Sequence, residues 1–103
     1  MPIARTRPLA GAAPHPGEVL KDELAARGLS AHALALALRL PASRINQIVR
    51  GQRAITPETA LRLARYFGGS PAIWLRLQVA HDLSRAEAEL AAKIAAEVAP
   101  AAA

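Results

Sequence analysis

Residues 29–51, LSAHALALALRLPASRINQIVRG, decide how this chain folds. They predict two short helices joined by a tight turn. Ser30 suits an N-cap, since its hydroxyl can accept from an unpaired N–H of the first turn. Leu34 and Leu38 on the first helix, with Ile45 and Ile48 on the second, can meet on facing inner sides, and Ala35 is small where the helices approach. Pro41 fits the opening of the second helix, where its missing N–H is not needed. From about Ala42 to Arg50, helical periodicity turns Ile45, Ile48 and Val49 one way and Ser43, Asn46, Gln47 and Arg50 the other. A short helix pinned by one face, with hydrogen-bonding side chains on the other, suits insertion into the DNA major groove. The alternative for the pair is an αα-hairpin in an ordinary helical protein.

Charge supports the DNA reading. The 103 residues carry a formal charge of +5 and the pI is about 11.1, compatible with nucleic acid or an acidic partner. Between Arg39 and Arg76 lie seven arginines, no lysine and one acid, Glu58. Arginine's planar fork bonds two acceptors at once, which favours phosphates and base edges. Arg62 and Arg76 are assigned to solvated surface.

The rest of the chain is read around this unit. Residues 1–14 hold three prolines and a glycine without periodicity and predict a flexible arm. Arg5 and Arg7 in it could follow a phosphate backbone. His15-Pro16-Gly17-Glu18 opens a first helix with Val19, Leu20 and Leu24 as its apolar stripe and Gly28 as its stop. Arg39 occupies the turn of the helix pair, where a left-handed residue, usually Gly, would be comfortable; the mismatch costs roughly 1 kcal/mol. Thr56-Pro57 caps a further helix with Ala60, Leu61, Leu63, Ala64 and Phe67 on its apolar face. Ser70-Pro71 repeats the signal. In the helix that follows, Ile73, Trp74, Leu77 and Ala80 share the side expected to face the domain. Leu75 and Val79 share a second apolar side, a candidate dimer surface. From Ser84 the composition turns Ala-rich, and Ser84 with Glu87 predicts a capping box for a separate helix, with Glu89–Lys93 paired along it.

No nucleophile–base pair, phosphate loop or carboxylate dyad stands out, so an enzyme is not expected, nor is a cofactor. The chain has no cysteine, and His15, His32 and His81 lack metal-ligand spacing, so no metal site is expected. No apolar run approaches membrane-spanning length, and the reading is cytoplasmic, with no membrane partner.

The residues that would read DNA follow individually. Gln47 and Asn46 can each bond adenine N6 and N7, Ser43 can serve a base or a phosphate, and Arg44 can reach guanine or the backbone from the flank. Arg50 and Arg53 are placed for phosphates. The start of the Ser30 helix, with His32 nearby, is a second phosphate anchor through its amides. One such unit reads few base pairs, so specificity calls for a homodimer on an operator palindrome in double-stranded DNA.

HPGEVL at 15–20, the helix pair at 30–50, RINQIVRGQRAIT at 44–56, ALRLARYFGGSP at 60–71 and WLRLQVAHDL at 74–83 together resemble a HigA-type antitoxin of the lambda-repressor-like helix-turn-helix group. The resemblance covers residues 15–83 in unbroken order. It implies an all-α, five-helix DNA-binding and dimerisation domain, to which residues 84–103 add an Ala-rich C-terminal helix and frayed tail. It also implies a homodimer, binding to a HigB-type mRNA-cleaving toxin of RelE-like fold, and repression of the shared operon. Carried over, the reading positions are Ala42, Ser43, Arg44, Asn46 and Gln47, with Arg50 and Arg53 on phosphates. Arg39 departs from the usual turn Gly. Ala31 and His32 stand where many relatives carry Gln and Thr, which removes one expected contact. The alternatives are a stand-alone repressor without a toxin and an interaction module whose helix pair no longer binds DNA.

Overall fold

The structure is a computed structural model and describes residues 13–102. Arg5, Arg7 and the rest of the expected arm up to residue 12 lie outside the described residues. Those described form five helices: α1 (Pro16–Arg27), α2 (Ala31–Leu38), α3 (Ala42–Val49), α4 (Pro57–Phe67) and α5 (Pro71–Glu97).

Local chemistry sets the boundaries of four of them at the positions read from sequence. The Ser30 hydroxyl accepts from Ala33 N at 3.0 Å, and the Thr56 hydroxyl accepts from Thr59 N at 3.4 Å. Ser70 accepts from Ala72 N at 3.1 Å. His15 is itself a cap: its Nδ1 accepts from Gly17 N at 2.8 Å. Gly28 ends α1 in the left-handed conformation (φ 63°). Pro41 sits one residue earlier than expected, at the N-cap of α3 rather than inside its first turn. Arg39 takes the left-handed turn conformation, φ 59° and ψ 42°, that the sequence made costly.

The core joins all five helices. Leu20, Leu34, Ile45, Ile48, Leu63 and Ala60 have no exposed surface, and burying each large aliphatic contributes about 1.5–3 kcal/mol. Leu24, Ala35, Leu38, Ile55 and Trp74 complete it. At the corner where α1, α4 and α5 meet, the Arg27 guanidinium lies 4.7 Å from the Phe67 ring centre, and Phe67 in turn lies 6.4 Å from Trp74. A cation over a ring face adds to a packed aromatic pair there.

Four expectations change. Leu61, assigned to the apolar face of α4, is exposed. On α5, Ile73 and Ala80 point outward, and Gln78 takes the inward place with Trp74 one turn before it. Gln78 is inside because Ile55 N donates to its Oε1 at 2.8 Å, and its Nε2 donates to Asp82 Oδ1 at 3.0 Å, so each polar atom of the buried side chain has a partner. The expected separate helix from Ser84 does not form: α5 runs unbroken from Pro71 to Glu97. Nothing between Ala80 and Ser84 interrupts a helix, so Ser84 sits mid-helix and its hydroxyl donates to His81 O at 3.1 Å instead of capping. Glu89 approaches Arg85 at 3.9 Å, one turn before it, rather than Lys93.

Candidate nucleic-acid interface

What α3 presents is fixed by what holds it from behind. Ile45 and Ile48 are fully buried, and the opposite side carries Ser43, Asn46 and Arg50 exposed, with Gln47 half-buried. The helix is also held end-on. Gly17, at the start of α1, lies so close to the end of α3 that a Cβ there would sit inside the Ile48 carbonyl oxygen. Glycine alone fits that approach.

No side chain caps α3 at its start; Arg44 N donates to Pro41 O at 3.1 Å, which leaves the amides of Ala42 and Ser43 for an acceptor such as a phosphate. Ala42, assigned to base reading, is half-buried and packs on the core with only part of its methyl outward. Arg44 leans toward α4, its Nη1 at 3.7 Å from Glu58 Oε1, and remains on the flank of the reading surface. Glu58 is mainly held by Arg62, whose Nη2 donates to it at 3.1 Å. Arg62 also donates from Nη1 to Leu38 O at 3.0 Å. It thus satisfies a carbonyl at the end of α2, a structural role that its assignment to plain solvated surface missed.

Arg53, on the loop after α3, is exposed, and its Nε donates to Gln47 Oε1 at 2.7 Å. The phosphate candidate and the base-reading candidate are therefore one hydrogen-bonded unit. At the other anchor, Ser30 spends an acceptor lone pair on Ala33 N, leaving its O–H able to donate to a phosphate, and His32 is exposed in the first turn of α2.

Behind the Arg53 loop lies a cluster that sequence reasoning did not assemble. His15 is buried, and its ring meets the edge of His81 at 5.0 Å between centres and an interplanar angle of 77°. Burial, and then His81, push the His15 pKa below its ordinary value, while Asp82, the Arg53 backbone and Glu18 pull the other way. His81 Nδ1 is 2.8 Å from Ala13 O. A small polar cleft of about 200 Å³ between the loop and α5 is lined by His15, Arg53, Gln78, His81, Asp82 and Arg85. His15 carried a signal, since it precedes Pro16 at a cap position; His81, dozens of residues away, carried none. Among the described residues no group of three or more His, Cys, Asp or Glu could hold a metal ion.

The dimer candidates lie away from this surface. Val79 is exposed, and Leu75 is half-buried against the core rather than wholly on the outer side. Both line a shallow groove of about 370 Å³ with Ala72, Arg76 and Ala80.

The model of the helix-turn-helix family matches residues 20–74. Virulence-associated protein I of Dichelobacter nodosus is 62% identical over 74 residues, which are 71% of this chain and 68% of that protein. The solved structure of an addiction module antidote protein of a HigA family from Coxiella burnetii matches with a TM-score of 0.84 at 43% identity, covering 88% of this chain and 100% of that one. The Pseudomonas aeruginosa antitoxin HigA with higBA promoter matches with a TM-score of 0.84 at 42% identity, covering 87% of this chain and 99% of that one.

Proposed function

The chain belongs to the HigA family of helix-turn-helix antitoxins, and from that premise we propose that it binds a palindromic operator as a homodimer, represses its own operon and neutralises a HigB-type mRNA-cleaving toxin. The observation that carries the DNA part is the division of α3 into a fully buried isoleucine face and an outward face of Ser43, Asn46 and Gln47. Side chains that can donate and accept in pairs are what the major groove asks for. In this reading Ala42, Ser43, Arg44, Asn46 and Gln47 meet base edges, Ser30, His32, Arg50 and Arg53 hold phosphates, and Leu75 and Val79 contribute to the dimer contact. The DNA-binding unit is residues 15–83, to which the Ala-rich end of the chain is appended. No helix among the described residues is long and apolar enough to cross a membrane, and the proposed site of action is the cytoplasm, beside the DNA.

The test has two arms. Binding to the DNA upstream of the chain's own reading frame, titrated over salt, should show a specific complex at least a thousandfold tighter than on scrambled DNA. Equal affinity for both would sink the repressor reading. Co-expression with the neighbouring short basic reading frame should restore growth that this frame alone arrests. Specific DNA binding with no such neighbour and no rescue would leave a stand-alone repressor.

A further inference from the structure

Of the nine large hydrophobic residues that the described chain exposes, six lie on α5 or at its C-cap: Ile73, Val79, Leu83, Leu90, Ile94 and Val98. At about 100° per residue, Ala72, Val79, Leu83, Ala86, Leu90 and Ile94 fall within an arc of roughly 80°. That arc lies on the side of α5 away from the buried Trp74 and Gln78. Two shallow apolar grooves follow it end to end, one at Leu75 and Val79, the other at Leu83, Ala86 and Ile94. Residues 85–97 are exposed at every position. A helical run of that length with no tertiary packing is marginal in water, so the stripe calls for a covering partner.

We propose that the partner is α5 of a second copy, laid antiparallel, with the two-fold axis passing between Ala86 and Glu87. The proposal rests on the homodimer reading above and adds its register. Taking that axis, Val79 of one copy falls opposite Ile94 of the other, Leu83 opposite Leu90, and Leu75 opposite Val98. The same centre sets Arg76 opposite Glu97. Four pairs, three apolar and one of opposite charge, thus share a single centre, and small Ala86 sits at the crossing, where helix axes come within about 8–10 Å. A parallel pairing would instead set Arg76 on Arg76 and Glu97 on Glu97. The antiparallel arrangement is isologous and self-closing. It also leaves the two globular bodies at opposite ends of the helix pair, each attached by the face that α5 turns away from its partner.

The chain has no cysteine, so single substitutions report the register directly. Ala86→Cys should cross-link to itself under mild oxidation. Val79→Cys and Ile94→Cys should each cross-link to themselves at least tenfold less, yet cross-link to one another when mixed. Arg76→Glu should weaken self-association at least tenfold, and Arg76→Glu with Glu97→Arg should restore it. Self-cross-linking at 79 and 94 as ready as at 86 would mean parallel helices: the register falls and the homodimer stands. A charge-swapped double variant no better than Arg76→Glu also overturns the register. Sedimentation of the unmodified chain as a monomer at micromolar concentration, with Ala86→Cys uncross-linked, would remove the homodimer and leave the stripe for another protein.

Discussion

Arg53 Nε donates a 2.7 Å hydrogen bond to Gln47 Oε1, so an arginine on the loop after α3 holds the carbonyl end of a side chain on the reading face. That carbonyl keeps a second lone pair that can accept from adenine N6, and Nε2 keeps its hydrogens to donate to N7. Gln47→Ala should lose about 1–3 kcal/mol of discrimination at one base pair per half-site. From sequence alone Arg53→Ala would weaken binding equally on all DNA; with this bond it should also lose part of the discrimination at the same base pair. Its salt slope should fall by about one for each phosphate the variant no longer neutralises. A double-mutant cycle on operator and single-base variants is the measurement, with a coupling of about 0.5–3 kcal/mol expected. Zero coupling would mean the pair separates on DNA.

Gly17→Ala should destabilise the domain by about 1–3 kcal/mol or more, because the new methyl would overlap the backbone carbonyl of Ile48 rather than a movable side chain. Gly28→Ala, left-handed but facing open space, should cost only about 1–2 kcal/mol. Urea titration distinguishes them. A Gly17→Ala protein as stable as the parent would show that α1 and α3 can part freely.

Arg39→Gly should raise stability by up to about 1 kcal/mol, since it relieves a left-handed side-chain residue at the turn between α2 and α3. The urea midpoint should rise with an unchanged slope. No gain would mean that contacts of the arginine side chain offset the backbone strain.

Acidification should act through His15. Its Nδ1 can accept from Gly17 N only while unprotonated, and burial and then His81 lower its folded pKa. The unfolded chain, at about 6.5, takes up the proton first. Between those two values the unfolded state binds more protons, so stability rises with pH there. The contribution is whole above about 6.5 and lost as pH falls toward the folded value. Thermal melts from pH 8 to 5 should show a smaller loss for His15→Asn, whose side chain caps without titrating in this range. Parallel losses in the two proteins would exonerate His15.

Much of this was written locally. Ser30, Thr56 and Ser70 cap helices at the positions their sequence neighbours dictate, and the isoleucine spacing of 45 and 48 marked the buried side of α3. What escaped was long-range or depended on a missing local signal. Counting apolar residues puts Ile73 inside and gives Gln78 no inward place, because the partner that draws Gln78 inward, Ile55 N, lies 23 residues away. Ser84 matches a capping box, but a cap needs the chain to leave helical geometry before it, and nothing there makes it do so. Arg62 looked like solvated charge until α2 and α4 were placed side by side. The pairing of Arg53 with Gln47 spans a turn whose path the sequence did not specify.

The contact of Gly17 with the end of α3 bears on how such a protein changes its target. Backbone meets backbone there, so the tilt of α3 owes little to the identity of any side chain on its outer surface. Ser43 and Asn46, exposed and with no assigned duty in the core, are open to substitution. Exchanging them should alter which bases are preferred while the docking angle stays constant. New operator specificities can then be selected from a small library at these two positions, with no compensating change in the interior.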